Sequence, residues 1–264
     1  MMHGLHWYDY GARHYDPCIM RFTTMDPMCE KYYHLSPYAY CGNNPVNAVD
    51  KEGNLTIFIN GFHAGLEGGS PSYWHTRSGN FDDLVIAHFN DKNALYFDGS
   101  LGGTLGLFRN LIPIYREAIG RIQGKIKVED IISNLERDKN GNIIEPIRII
   151  SHSMGGSFAK GFVQAIMKYA SENTDKVNGL SVSEYDFAPY EPLFQSAVKG
   201  VDTYQYSHKG DKIAGNKRIS GAKYMKTSDD EEKGHSISDF IEYISTLPQG
   251  HYKFENGIIV NTRN

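Results

Sequence analysis

The chain has 264 residues, with 27 Lys and Arg against 31 Asp and Glu, a formal charge of −4, 40% hydrophobic residues and 22% charged ones. This is globular composition, long enough for one large domain or a large one plus a small one, and it argues against extended disorder and against the basic excess of a nucleic-acid binder. No apolar run approaches the ~20 residues that span a bilayer, so an integral membrane protein is not expected.

Met1–Tyr10 carries neither the basic nor the apolar region of a secretory signal, so any export is expected to use a specialised secretion system. Residues 1–53 differ from the rest. They hold seven of the 18 tyrosines and the turn dipeptides Asp16-Pro17, Asp26-Pro27, Ser36-Pro37 and Asn44-Pro45. Such punctuation forbids long helices and predicts short strands and turns. All three cysteines, Cys18, Cys29 and Cys41, lie here, in no zinc-type spacing, and read as reduced thiols.

From Asn54 the pattern changes. Leu55–Ile59 reads as a buried strand ending at Asn60-Gly61, followed by a Gly/Ser-rich loop from Ala64 to Asn80 and a strand at Ala94–Phe97. Helical spacing runs through Ile119, Ile122, Ile126, Val128, Ile131, Ile132 and Leu135, with Asn140-Gly141 as its stop. The strand Ile147–Ile150 leads into Ser151-His152-Ser153-Met154-Gly155-Gly156, and a helix follows with Phe158, Phe162, Val163 and Ile166 on one face. Leu180–Tyr185 and Val201–Tyr206 read as strands. A late helix presents Ile237, Phe240, Ile241 and Ile244, with Ser236 and Asp239 as a capping pair. An Asn256-Gly257 hairpin closes the chain. Strands alternating with helices predict an α/β fold, a mostly parallel sheet covered on both faces. The expected domains are 1–53 and 54–264.

The strongest chemical signal is a strand, then small-x-Ser-x-Gly, then a helix. Small residues flank Ser153 at two positions either side, where the chain must turn sharply and lift the Ser153 hydroxyl clear of the backbone. The helix that follows aims its N-terminal amides at the same point. A serine hydroxyl needs a base. His235, in Gly234-His235-Ser236 before the last amphipathic helix, is the expected base, ahead of His208 and His251. His152 reads as packing. The acid that orients the base should follow a strand between the two. Asp211 is favoured, with Asp186 as the alternative, over Asp202, Asp229 and Asp230. The oxyanion hole is expected from the amides of Met154 and Phe62, with His63 next after Phe62. No metal ligand set is expected at His63. Leu101–Phe108 is Gly-rich and apolar, a candidate lid, and Tyr73, Trp74, Phe81 and Tyr190 are candidate pocket aromatics.

On Asn60-Gly61-Phe62, Ser151–Gly156, Asp211 and Gly234-His235-Ser236, residues 54–264 resemble the α/β-hydrolase superfamily of lipase and esterase type. The resemblance implies a serine triad, no cofactor, and an eight-strand-type sheet here lacking its first two strands. Residues 7–53 look like the end of an Rhs repeat-associated core domain. The matching stretches are Tyr8–Arg13, Tyr15-Asp16-Pro17, Arg21-Phe22, Met25-Asp26-Pro27, Tyr32-Tyr33 and Ser36–Val46. In that family the core closes a shell of tyrosine-rich repeats, a variable toxin follows, and paired Asp-Pro-x-Gly motifs support self-cleavage. Here those motifs read Asp26-Pro27-Met28-Cys29 and Asp50-Lys51-Glu52-Gly53, and both depart from the pattern. Together the resemblances imply a lipase- or phospholipase-like effector acting on a lipid or other acyl ester, with a cognate immunity protein and an Rhs shell as partners. Two other readings stand beside it, a metabolic esterase or thioesterase and an inactive binding module.

Overall fold

The computed structural model describes residues 8–9, 14–16, 18–19, 21–25, 36, 38, 54–63, 68–100, 113–214 and 217–262. The chain divides into two units, Met1–Glu52 and Gly53–Asn264. In the first, the expected short strands form β1 (Tyr8–Asp9), β2 (His14–Asp16) and β3 (Arg21–Phe22), paired antiparallel in that order. Most of the Rhs-like motifs and the Leu101–Phe108 segment lie outside the described residues.

In the second unit β4 (Asn54–Asn60) is the apolar run after Asn54. A one-turn 3-10 helix, Pro71–Trp74, and a small hairpin, β5 (His75–Thr76) and β6 (Gly79–Asn80), lead into α1 (Phe81–Phe89). Then follow β7 (Asp91–Asp98), α2 (Pro113–Asn134), β8 (Ile147–His152), α3 (Gly155–Glu172), β9 (Val182–Phe187), β10 (Asp202–His208) and β11 (Tyr224–Ser228). A 3-10 helix spans Ile237–Thr246, and β12 (Tyr252–Glu255) pairs antiparallel with β13 (Ile258–Asn261).

Six strands form one sheet in the order β11-β10-β9-β8-β4-β7, every pairing parallel. Parallel strands buried on both faces need apolar side chains both ways, and the sequence supplies them with period two. Leu55, Ile57, Ile59, Ile147 and Ile149 pack with α2 and α3 on one face. Phe58, Ile150, Tyr185, Phe187, Tyr204 and Tyr206 pack with α1, Trp74 and the 237–246 helix on the other. Helices α2 and α3 touch backbone to backbone: a Cβ on Gly161 would stand 1.8 Å from the Glu117 carbonyl oxygen, and one on Gly120 would stand 2.0 Å from that of Phe158. Only glycine permits that approach.

The chain reverses direction in the sheet between β4 and β8. β7 lies on one side of β4, while β8 and the later strands run off on the other. The carboxyl ends of β4 and β8 therefore border a crevice, the place where open parallel sheets bind ligands. Both ends carry residues singled out by sequence, Gly61-Phe62 and His152-Ser153.

Several expectations need correction. The long helix begins at Pro113 and ends at Asn134, before Asn140-Gly141. That dipeptide sits in a turn in which Asp138 accepts bonds from the Asn140 and Asn142 amides. The Ala64–Asn80 loop contains the 71–74 turn and the β5-β6 hairpin, and α1 and β11 had no expected counterpart. The 237–246 helix is 3-10 throughout. There i and i+3 eclipse, so Ile237, Phe240 and Tyr243 form the buried row, and Ile241 is only half-buried. Ser236 makes no side-chain cap. Its hydroxyl pairs with Ser238, while Asp239 accepts the Gly234 amide.

Candidate active site

The turn after β8 is built from small residues because the backbone is crowded there. Ser153 has φ 57, a left-handed conformation a non-glycine residue rarely holds. Three backbone bonds hold it: its N–H donates to the Phe187 carbonyl at 3.0 Å, and its own carbonyl accepts from Gly156 and Tyr190 at 3.2 and 3.0 Å. A Cβ on Gly155 would meet the Ile59 carbonyl at 2.4 Å. Larger side chains here would push β4 and the turn apart.

Ser153, His235 and Asp211 come together as the sequence predicted. His235 Nε2 lies 2.7 Å from Ser153 Oγ, and His235 Nδ1 lies 2.8 Å from Asp211 Oδ2. Asp211 follows β10 through a two-residue turn. Its other oxygen accepts the amides of Ile213 and Ala214 at 2.8 and 2.9 Å. Burial alone would raise the Asp211 carboxyl. The bonds from His235, Ala214 and Ile213 outweigh it and hold the group below its ordinary value. A carboxylate fixed this way keeps the His235 Nδ1 protonated and leaves the Nε2 lone pair for the Ser153 proton.

Asp186, the alternative acid, is excluded by its own partners. It lies fully buried, accepting from Lys160 Nζ and Ser151 Oγ at 2.5 Å each. Lys160 Nζ also pairs with Glu184 at 2.8 Å. Glu184 and Asp186 alternate with Tyr185 along β9 and so share the α3 face of the sheet, away from His235. Burial would lower the Lys160 ammonium, and the two carboxylates more than restore it.

The competing histidines sit elsewhere. His208 Nε2 donates to the Asp239 carbonyl, and His63 contacts Asp98 at 3.3 Å. His251 belongs to the turn before β12, where its carbonyl accepts the Thr262 amide. His152 is not simple packing. Its Nε2 lies 2.8 Å from the carbonyl oxygen of His235, and its Nδ1 meets the hydroxyl of Tyr73. Burial and the neighbouring His235 push its pKa down to about 3, so the ring is neutral.

Phe62 and Met154 both line the cavity over Ser153, which encloses about 650 Å3. The Gly61 backbone passes directly against the serine: a Cβ there would stand 2.6 Å from Ser153 Cβ. The segment bearing the Phe62 amide is thus brought beside the hydroxyl, and Met154 leads into α3. Tyr73, Tyr190, Ile213 and Ile237 complete an apolar wall. Of the expected pocket aromatics, Trp74 and Phe81 are instead core residues of the α1 face.

Among the described residues, His75, Asp82 and Asp83 bring possible metal-ligand atoms within 4.8 Å of one another. His75 Nε2 lies 3.4 Å from Asp82 Oδ1.

The sequence matches no protein-family model. It is 52% identical over 52 residues to salivary gland surface protein 1 of Aedes aegypti, a match covering 20% of this chain and 2% of that protein. Among the described residues, no helix is long and apolar enough to cross a membrane.

Proposed function

We propose that residues 54–264 form a serine hydrolase of α/β-hydrolase type that cleaves a carboxylic ester, with a lipase- or phospholipase-like substrate. The observation that carries this reading is the unbroken relay from Asp211 through His235 to Ser153 at 2.8 and 2.7 Å, beneath an apolar cavity. The positive φ of Ser153 and the reversal of strand order at β4 and β8 support it.

Ser153 Oγ attacks the ester carbonyl carbon while its proton passes to His235 Nε2. Asp211 holds the imidazolium that forms. The negative charge on the former carbonyl oxygen takes hydrogen bonds from the Met154 and Phe62 amides. As the C–O bond to the leaving alcohol breaks, His235 returns the proton to that oxygen. A water then gives its proton to His235 and attacks the acyl-Ser153 ester, freeing the carboxylic acid and restoring the hydroxyl.

On the Rhs-like reading of the first segment, we propose that this hydrolase is the C-terminal effector, or toxin, module of an Rhs-type protein, with a cognate immunity protein as counterpart. Two measurements test the two parts. A fluorophosphonate should label Ser153, and Ser153→Ala should remove the label; a folded, unlabelled wild-type protein overturns the hydrolase reading. Cells expressing the wild type should stop growing while those expressing Ser153→Ala grow. Equal growth would favour an esterase of ordinary metabolism.

A further inference from the structure

With the His152 ring neutral, its two bonds fix how its proton is placed. The His235 carbonyl oxygen can only accept, so His152 Nε2, 2.8 Å away, must carry the proton. Nδ1 then holds the lone pair, so the Tyr73 hydroxyl must donate to it. The Tyr73 hydroxyl also stands against Gly61, where an added Cβ would lie 2.9 Å from it. Three groups thus point the same way: Tyr73 O–H, His152 Nε2–H and the His235 carbonyl. Such a chain polarises each bond in turn, and its middle member, His152, is buried.

Its ends matter more than its length. One end, the Tyr73 hydroxyl, stands against Gly61, the residue before Phe62, an expected oxyanion donor. The other is the backbone of the base itself. The middle member is the residue before Ser153. We propose that Tyr73 and His152 are positioning residues, which lock the Gly61-Phe62 segment and the His235 loop in register with the Ser153 hydroxyl. This rests on the serine-hydrolase reading above.

The local chemistry suits the role. The His152 and His235 rings are 5.2 Å apart. A charge on His152 would oppose the imidazolium that forms on His235 during attack. A buried, neutral His152 presents an N–H dipole without that repulsion. Tyr73 reaches the chain from the 71–74 turn, held against the sheet by Trp74, which packs on Phe58 and Phe81.

Tyr73→Phe keeps the ring and removes only the hydroxyl. Misplacing a reacting group by about 1 Å costs on the order of 10²-fold in rate, so kcat should fall about 10- to 100-fold with KM changed less than about threefold. His152→Gln retains a side-chain N–H for the His235 carbonyl and should keep at least about a tenth of wild-type kcat, whereas His152→Leu should fall about 100-fold. A Tyr73→Phe enzyme within twofold of wild type, or equal losses in the Gln and Leu variants, would overturn the proposal. If His152→Leu does not fold, Tyr73→Phe and His152→Gln still decide it.

One readout is independent of turnover. Nitrogen-15 NMR of the imidazoles should show His152 as a single Nε2-protonated neutral tautomer in the wild type, and a mixture in Tyr73→Phe. A tautomer mixture in the wild type refutes the lock even if the enzyme is active. A wild type that shows the lock but takes no fluorophosphonate refutes the hydrolase reading instead.

Discussion

Asp211→Asn separates the two carboxylates that sequence left in contention. In the wild type Asp211 Oδ2 accepts the Nδ1 proton of His235 at 2.8 Å. The Asn variant keeps Oδ1 for the amides of Ile213 and Ala214, so the loop should hold and Tm should change little. Its Nδ2 now donates toward Nδ1, which favours the other imidazole tautomer. Nε2 then carries a proton facing Ser153 and cannot accept one. The loss expected for such a change is about 10⁴-fold in kcat, equivalent to about 5 kcal/mol of transition-state stabilisation. The assay is kcat on a p-nitrophenyl butyrate ester, with circular dichroism to confirm folding. Asp186→Asn is the control: it disturbs the Lys160 pair and should lower Tm, leaving the residual kcat within about tenfold. A loss under tenfold in Asp211→Asn, or a larger loss in a folded Asp186→Asn, would refute the assignment of Asp211.

Three further outcomes follow from the packing and charges. Burial first, and then Asp186, push the Glu184 carboxyl up to about 7 against the pull of Lys160. The folded state therefore holds a proton that the unfolded chain has released, and stability should fall as pH rises from the ordinary carboxylate value through about 7. Urea midpoints at pH 5 and pH 8 should show this loss in the wild type and a smaller one in Glu184→Gln. Equal losses contradict it. Gly161→Ala puts a methyl 1.8 Å from the Glu117 carbonyl and should destabilise by about 3 kcal/mol, read as a lowered denaturation midpoint. Ile213 is 58% exposed on the cavity wall. Ile213→Glu should leave Tm unchanged while cutting the preference for octanoyl over acetyl esters about tenfold, seen as a ratio of kcat/KM values.

The site was legible in sequence wherever its signal was local. The Ile147–Gly156 stretch announces strand, sharp turn and helix within ten residues, because the crowding that demands small side chains acts on neighbours. His235 and Asp211 were legible through their order along the chain and their place at loop and strand ends. The role of His152 was not, since its partners Tyr73 and His235 lie far away in sequence. Lys160 was hidden for the same reason. A lysine on a helix reads as solvated until Glu184 and Asp186 are seen to share the strand face opposite it. Helix α1 did carry a signal, Phe81, Val85 and Phe89 at four-residue spacing, interrupted to the eye by Asp82 and Asp83. The 237–246 segment carried one too, but both the helical pattern (Ile237, Phe240, Ile241, Ile244) and the three-residue row (Ile237, Phe240, Tyr243) start alike, and the buried Tyr243 with the half-buried Ile241 tells them apart.

Ser153, directly after β8, is one of five non-glycine residues with positive φ among the described residues. A left-handed non-glycine residue costs on the order of 1–3 kcal/mol and persists only where its surroundings over-determine it. Here they do. Three backbone bonds tie its peptide groups to β9, Tyr190 and α3, and Gly155 lets α3 begin against β4. The same strain aims Oγ away from the sheet, at His235. A glycine at position 153 would relieve the strain and leave nothing to react. Any other side chain would keep the strain and lose the 2.7 Å contact. The cost is tied to one hydroxyl, at the sheet edge where the strand order reverses, and this sets the elbow apart from an ordinary strand-to-helix turn. Ser153→Gly should accordingly raise the denaturation midpoint while removing fluorophosphonate labelling, and a lowered midpoint would show that the turn is not strained.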